Sequence, residues 1–181
     1  MSELVVRVSE VAPTSLQKLA EEVQETVLLT RRTGDLVVCV DCAESETRTV
    51  RISYERGSAL PLNAGAAALI LLAWSAEDEA RRLLEAAELR RFTPATLADV
   101  DALVGRLGRI RRLGYSITRG EPDPDVVGIS APIRNQDGQV VAAVSVAALA
   151  SRLYPEPEAE VVQKLLVMAG EISERLALAA A

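Results

Sequence analysis

The stretch GYSITRGEPDPDVVGISAPIRNQDGQVVAAVSVAA, Gly114–Ala148, decides how the chain folds. It opens as a strand over Gly114–Thr118, passes through an acidic, proline-containing loop, and continues as two apolar runs, Val126–Ile133 and Val140–Ala148. Asn135-Gln136-Asp137-Gly138 joins the runs, and its Asp-Gly dipeptide favours positive φ, so an antiparallel hairpin is predicted. With Arg134 and Gln139 closing the loop as an opposed pair, Gly128 falls opposite Ser145 and Val126 opposite Ala147. A glycine facing a serine is a shallow spot. Glycine inside a strand marks either a β-bulge or the close approach of a ligand or another backbone, and the residues alone leave both readings open.

Around this hairpin the chain has 181 residues, enough for one domain that buries a full core without disulfides or metal. Apolar residues make up 49% of it but Phe, Trp and Tyr only 3%, so Ala, Val and Leu build the core and aromatic platforms for single-stranded nucleic acid are not expected. A net charge of −6 gives no global electrostatic footprint for DNA or RNA. The sequence contains no histidine. Ser-His and Cys-His nucleophilic pairs and the common His-containing zinc sites are thereby excluded, and no paired carboxylates lie on a cleft-like apolar segment. No enzymatic role, metal or cofactor is expected.

Cys39 and Cys42 form a C-x-x-C inside the alternating run LVVCVDC. Positions i and i+3 of a regular strand point to opposite faces, so the two thiols are expected not to touch and to be structural. Free thiols, no targeting segment, and a longest apolar run (Ala64–Ala73) far short of the about 20 residues needed to span a bilayer predict a soluble, cytoplasmic protein with no membrane contact.

In order, Leu4, Val6 and Val8 alternate as a short strand or packing arm. A helix capped by Thr14 or Ser15 follows, with Leu16, Leu19, Ala20 and Val23 on one face. Thr26–Thr30, Leu36–Cys42 and Thr47–Tyr54 read as three successive strands. Beyond Leu60-Pro61-Leu62, the alanine-rich Ala64–Trp74 reads as a buried helix. Small residues at its start, Gly65, Ala66 and Ala67, suit either an anion at open backbone N–H groups or close packing on the sheet. A second helix follows Ser75 as N-cap and runs to about Glu88, before Phe92-Thr93-Pro94 breaks the pattern. Asp99 starts another helix that ends at Gly114, with Arg106, Arg109, Arg111 and Arg112 near its C-terminus as a nucleic-acid patch or as ordinary solvated cations. Ser151–Pro157 is a proline-interrupted connection, and Glu158–Leu178 a final amphipathic helix.

The order of these elements, together with Leu60-Pro61-Leu62, Phe92-Thr93-Pro94, Arg111-Arg112-Leu113-Gly114-Tyr115, Ala131-Pro132-Ile133, Asp137-Gly138, Val144-Ser145-Val146 and Ser151-Arg152-Leu153, resembles the effector-binding domain of the IclR family of bacterial transcription regulators. The resemblance runs from Leu16 to Leu178. It implies an α+β, GAF-like or profilin-like fold: a curved, mainly antiparallel sheet of about six strands flanked by helices. Residues 16–181 would be the effector domain and residues 1–15 an arm or linker remnant. It further implies a small-molecule metabolite as partner, bound by Leu60, Ala66, Ala67, Thr118, Val126, Gly128, Ser145 and Ala147, and a homodimer or homotetramer.

The chain also departs from the family pattern. About fifteen residues precede the first helix, too few for a winged helix-turn-helix, so no direct DNA contact is expected of this chain. Asn63 stands where the family usually has histidine, Ala68-Leu69 where it has Gly-Lys, Thr118 at an acidic position and Ala147 at a serine. The implied pocket is therefore weakly polar and would favour an effector less polar than small keto and hydroxy acids. The alternative is a stand-alone interaction module whose pocket is filled by its own side chains.

Overall fold

The computed structural model describes residues 10, 12–153 and 158–179. The strands are β1 (Thr26–Thr33), β2 (Leu36–Ala43), β3 (Ala59–Pro61), β4 (Ser116–Arg119), β5 (Val126–Arg134) and β6 (Val140–Leu149). They form one antiparallel sheet in the order β3-β2-β1-β6-β5-β4. The helices are α1 (Pro13–Val23), α2 (Ala66–Ala73), α3 (Glu77–Ala86), α4 (Val100–Leu113), α5 (Ala150–Leu153) and α6 (Glu158–Leu178). The sheet curls into a half-barrel with helices on both sides, the α+β architecture that the resemblance implied.

Period-two alternation sorts the strand residues between two cores. Leu29, Ile129, Ile133, Val144 and Val146 turn to one face, where they meet Leu16 and Leu19 of α1 and Leu165 and Ile172 of α6. Their neighbours on the other face are small or polar: Gly128, Ser130, Ala143, Ser145, Ala147 and Thr118. That face accepts α2, whose sequence AAALILLA is buried almost throughout between the sheet and Leu84, Leu103 and Leu107 of α3 and α4.

The hairpin forms, with Gly138 at φ 76° and its N–H donating to Asn135 O at 3.0 Å. Its register differs from expectation. Arg134 pairs with Val140 rather than Gln139, and Val141 is an extra residue on β6. The later closing pair and this bulge each move the pairing by one, two in all, so Gly128 faces Ala147, Val126 faces Leu149, and Ser145 faces Ser130. A shift of two preserves the side-chain face. The bulge lies at the loop end, and the ladder through Gly128 is regular.

A second bulge corrects the reading of the cysteines. Leu29 pairs with Asp41 and Thr30 with Cys39, which leaves Val40 unpaired. The extra residue turns positions 39 and 42 to the same face, where both join a cluster with Leu28 and Ala147.

Thr47–Tyr54 is not a strand. The edge of β2 is taken by β3, with Val38 on Ala59 and Leu36 on Pro61. The carbonyls of the displaced segment are met by side chains instead: Thr26 Oγ1 donates to Ile52 O at 2.5 Å, Arg152 Nη2 to Val50 O at 2.7 Å, and Cys42 Sγ to Tyr54 O at 3.3 Å.

Helix α1 starts at Pro13, a residue suited to the first turn, with Ala12 rather than Thr14 or Ser15 at the N-cap. Helix α3 starts later than expected, after Ala76, and ends by Ala86. Asp99 caps α4 through Ala102 N at 2.8 Å, and Gly114 ends it at φ 81°. Leu4, Val6 and Val8 lie outside the described residues, as does Tyr154–Pro157 of the connection before α6, whose first part is α5.

Candidate functional site

On its small-residue face the sheet leaves a gap beside α2. Gly128, Ser145 and Ala147 lack the bulk to fill the space up to the start of the helix, and a cavity of about 70 Å³ remains. All eight residues expected at a pocket, Leu60, Ala66, Ala67, Thr118, Val126, Gly128, Ser145 and Ala147, line this one cavity. The two-residue register shift leaves them on one face, though Gly128 and Ser145 are not opposed.

The start of α2 is held in place from several sides. Gly65, at φ 83°, turns the chain into the helix, where an L side chain would be strained. Ser116 Oγ donates to Ala66 O at 2.7 Å, tying that end to β4. Asn63 is fully buried, donating to Arg90 O at 2.9 Å and Leu97 O at 2.7 Å and accepting from Arg90 N at 3.2 Å. Asn63 thus organises the segment before α4 and does not line the cavity. Ala68 and Leu69 are wholly buried in the core around α2.

Polar groups at the cavity are few and differ in role. Thr118 is 1% exposed, and its hydroxyl has no hydrogen-bond partner among the described residues. A Cβ at Gly128 would lie 3.0 Å from Thr118 Oγ1 and 3.8 Å from Ala66 N, so the floor, the free hydroxyl and the helix start converge. Ser145 Oγ donates to Ser130 Oγ at 2.8 Å, and Ser130 Oγ donates to Val144 O at 3.2 Å. That chain leaves Ser145 with acceptor capacity. The opening N–H groups of a helix point outward without intrahelical acceptors, so Ala66 and Ala67 offer donors to an acceptor or anion.

The sequence reading missed Thr30, Cys39, Tyr54, Ser58 and Pro122, which also line the cavity. Thr30 was findable only from the β1–β6 pairing, and Tyr54 was assigned to a strand that does not form. Tyr54 is raised above the usual tyrosine pKa by burial and then by the nearby Asp123 carboxylate. Pro122 and Asp123 belong to the loop between β4 and β5, which is pinned from below. Thr93 Oγ1 donates to Gly120 O, Thr96 Oγ1 to Glu121 O at 2.6 Å, and Arg106 pairs with Glu121. This explains Phe92-Thr93-Pro94 structurally and takes Arg106 out of any nucleic-acid patch. Glu121 Oε2 is buried without a partner among the described residues, and burial raises that carboxyl's pKa against the opposing pull of Arg106.

Among the described residues no cluster of three or more His, Cys, Asp or Glu side chains could hold a metal, and no helix is long and apolar enough to cross a membrane.

The sequence profile of the family described as bacterial transcriptional regulator IclR C-terminal matches residues 4–174. The regulator XynR of Escherichia coli K12 is 38% identical over 109 residues, 60% of this chain and 43% of XynR. The repressor AllR of Salmonella typhi is 37% identical over 129 residues, 71% of this chain and 47% of AllR. This chain therefore spans less than half of either relative. Among solved structures, the C-terminal domain of E. coli KdgR superposes with a TM-score of 0.85 at 26% identity, covering 94% of this chain and 98% of that domain. Thermotoga maritima IclR gives 0.87 at 28% identity, covering 93% of this chain and 68% of that protein. The relatives are transcriptional regulators, not enzymes. With the profile spanning nearly its whole length and the fold shared with isolated C-terminal domains, the chain belongs to the IclR family of bacterial transcriptional regulators.

Proposed function

We propose that residues 16–181 form an effector-sensing and oligomerising domain that binds a small-molecule metabolite in the cavity between α2 and the sheet. The observation that carries this reading is the convergence of the unpartnered hydroxyl of Thr118, the N-terminus of α2 and the bare floor at Gly128 on one open space. A carbonyl or carboxylate oxygen of the ligand meets Thr118 and the Ala66 and Ala67 N–H groups, and Ser145 accepts from a ligand donor. The rest of the ligand lies against Leu60, Val126 and Ala147. Among the described residues no charged side chain lines the cavity, so a ligand with one polar end and an apolar body is favoured over a small dianion.

Binding alters assembly of a homodimer or homotetramer in the bacterial cytoplasm, and DNA is contacted through a separate helix-turn-helix module. Residues 1–15 serve as the arm or linker towards that module. The filled-pocket alternative loses support because the cavity is open and because Asn63, at the family's histidine position, has taken a scaffold role.

A thermal-shift screen of aliphatic, aromatic and small dicarboxylic metabolites tests the reading. A true ligand at a hundredfold excess over its Kd stabilises the protein by about 2.7 kcal/mol. No shift across the panel would return the chain to the interaction-module class, and tight binding of only a small dianion would overturn the polarity argument.

A further inference from the structure

We propose that Cys39 and Cys42 are a redox-sensitive pair whose oxidation to a disulfide releases the segment that covers the cavity. The inference rests on the cavity being the effector site and adds a second input to it. In a regular strand the two thiols would point apart. The bulge at Val40 sets Cys39 opposite Thr30 and Cys42 opposite Leu28, so both side chains leave the sheet on the cavity face, and both are free.

Partner positions two residues apart on one strand are separated by about 6.8 Å, near the outer limit for the Cα atoms of a disulfide. Closing the bond draws the bulge inwards. A bridge under such tension is readily reduced again, as a reversible switch requires.

Each thiol has a separate connection to the site. Cys39 is part of the cavity wall. Cys42 Sγ donates to the carbonyl of Tyr54 at 3.3 Å, and the Tyr54 ring covers the same cavity from the segment between β2 and β3. A disulfide has no S–H, so oxidation removes this donor and displaces the wall in one step. Cys42 is half-buried and Cys39 buried, which makes Cys42 the attacking thiol. Its thiolate takes one oxygen of a hydroperoxide to give a sulfenic acid and releases water or an alcohol. The Cys39 thiol then attacks that sulfur, the second oxygen leaves as water, and the two sulfurs have lost the two electrons that the peroxide gained.

Burial first, then the Cys42 and Asp41 groups, push the Cys39 thiol up to about 12, with Arg56 opposing. Burial and Asp41 raise Cys42 as well, again against Arg56. The pair is therefore slow at neutral pH, and its oxidation accelerates about tenfold per pH unit as the thiolate fraction grows.

The test treats the reduced protein with hydrogen peroxide and needs no effector, so its failure leaves the ligand reading standing. Peptide mapping is expected to find an intramolecular Cys39–Cys42 bond. Amide exchange over residues 50–57 is expected to speed by about threefold on oxidation and to recover with dithiothreitol. Cys42→Ser keeps a donor to Tyr54 O but cannot form the bond, so peroxide should leave its exchange unchanged; Cys39→Ser is an independent second variant. Thiols that survive or over-oxidise without pairing, or a disulfide that leaves segment 50–57 protected, would overturn the proposal.

Discussion

Gly128 is the residue at which one added side chain closes the cavity. A Cβ there meets Ala66 Cβ at an ordinary 3.5 Å but Thr118 Oγ1 at 3.0 Å, a contact tight enough that the hydroxyl must yield slightly. Gly128→Val is expected to weaken effector binding on the order of a hundredfold while costing the fold about 1–3 kcal/mol, because the added methyl groups enter existing space before they strain the core. Urea denaturation beside a binding assay separates the two effects. Asn63 behaves oppositely. Asn63→Ala removes the partner of Arg90 N, Arg90 O and Leu97 O, three part-buried bonds, and should destabilise by about 1–3 kcal/mol in the same denaturation measurement, with the cavity walls intact.

Of the eight cavity residues, Leu60, Ala66, Ala67 and Thr118 were implied by the family resemblance, and Val126, Gly128, Ser145 and Ala147 were legible in the hairpin because side-chain face depends only on parity. The Val141 bulge and the displaced closing pair together shifted the pairing by two and left Gly128, Val126, Ser145 and Ala147 on one face. The scaffold role of Asn63 was not legible because a residue type at a family position does not reveal which backbone groups it will meet.

At the scale of elements, the errors come from bulges and from competition for one sheet edge. The Val40 bulge has no signature in LVVCVDC, yet it decides that Cys39 and Cys42 share a face. Thr47–Tyr54 alternates as a strand should, but three-residue β3 occupies the edge of β2. Pro61 on that strand offers no N–H for a further partner, so the sheet ends there. The displaced segment depends on side-chain anchors, among them Arg152 Nη2 on Val50 O, and Arg152 is itself held by the buried Glu25 carboxylate at 3.1 Å. Arg152→Ala would leave Glu25 buried and uncompensated and free Val50 O, with an expected loss of about 3 kcal/mol in thermal or urea unfolding. A wild-type midpoint in this variant would mean that the pair is not a clamp. Long helices with clean periodicity, α4 and α6, were read correctly because Asp99 and Gly114 supply local stop signals for α4 and the apolar stripe of α6 needs no long-range partner.

For the molecule as a whole, the two buried carboxyls set a pH dependence. Burial raises the pKa of Glu25 and of Glu121 above 4.5, against the opposing pull of Arg152 and Arg106. Each group binds its proton more tightly when folded. The stability this contributes is complete below about pH 4.5 and is lost as pH rises through the folded values. Unfolding midpoints are therefore expected to fall as pH rises above about 4.5, and Glu121→Gln, which keeps an acceptor for Arg106 without titrating, should flatten part of that slope. An unchanged slope in the variant would remove Glu121 from the account.

The most direct test of the central claim is calorimetric titration of the best ligand from the thermal screen into wild type and into Gly128→Val. One site per chain in the wild type, a negative heat-capacity change from apolar burial, and an affinity lower by on the order of a hundredfold in the variant are predicted. Undiminished binding to a folded Gly128→Val protein would place the ligand elsewhere and contradict the assignment of the cavity as the effector site.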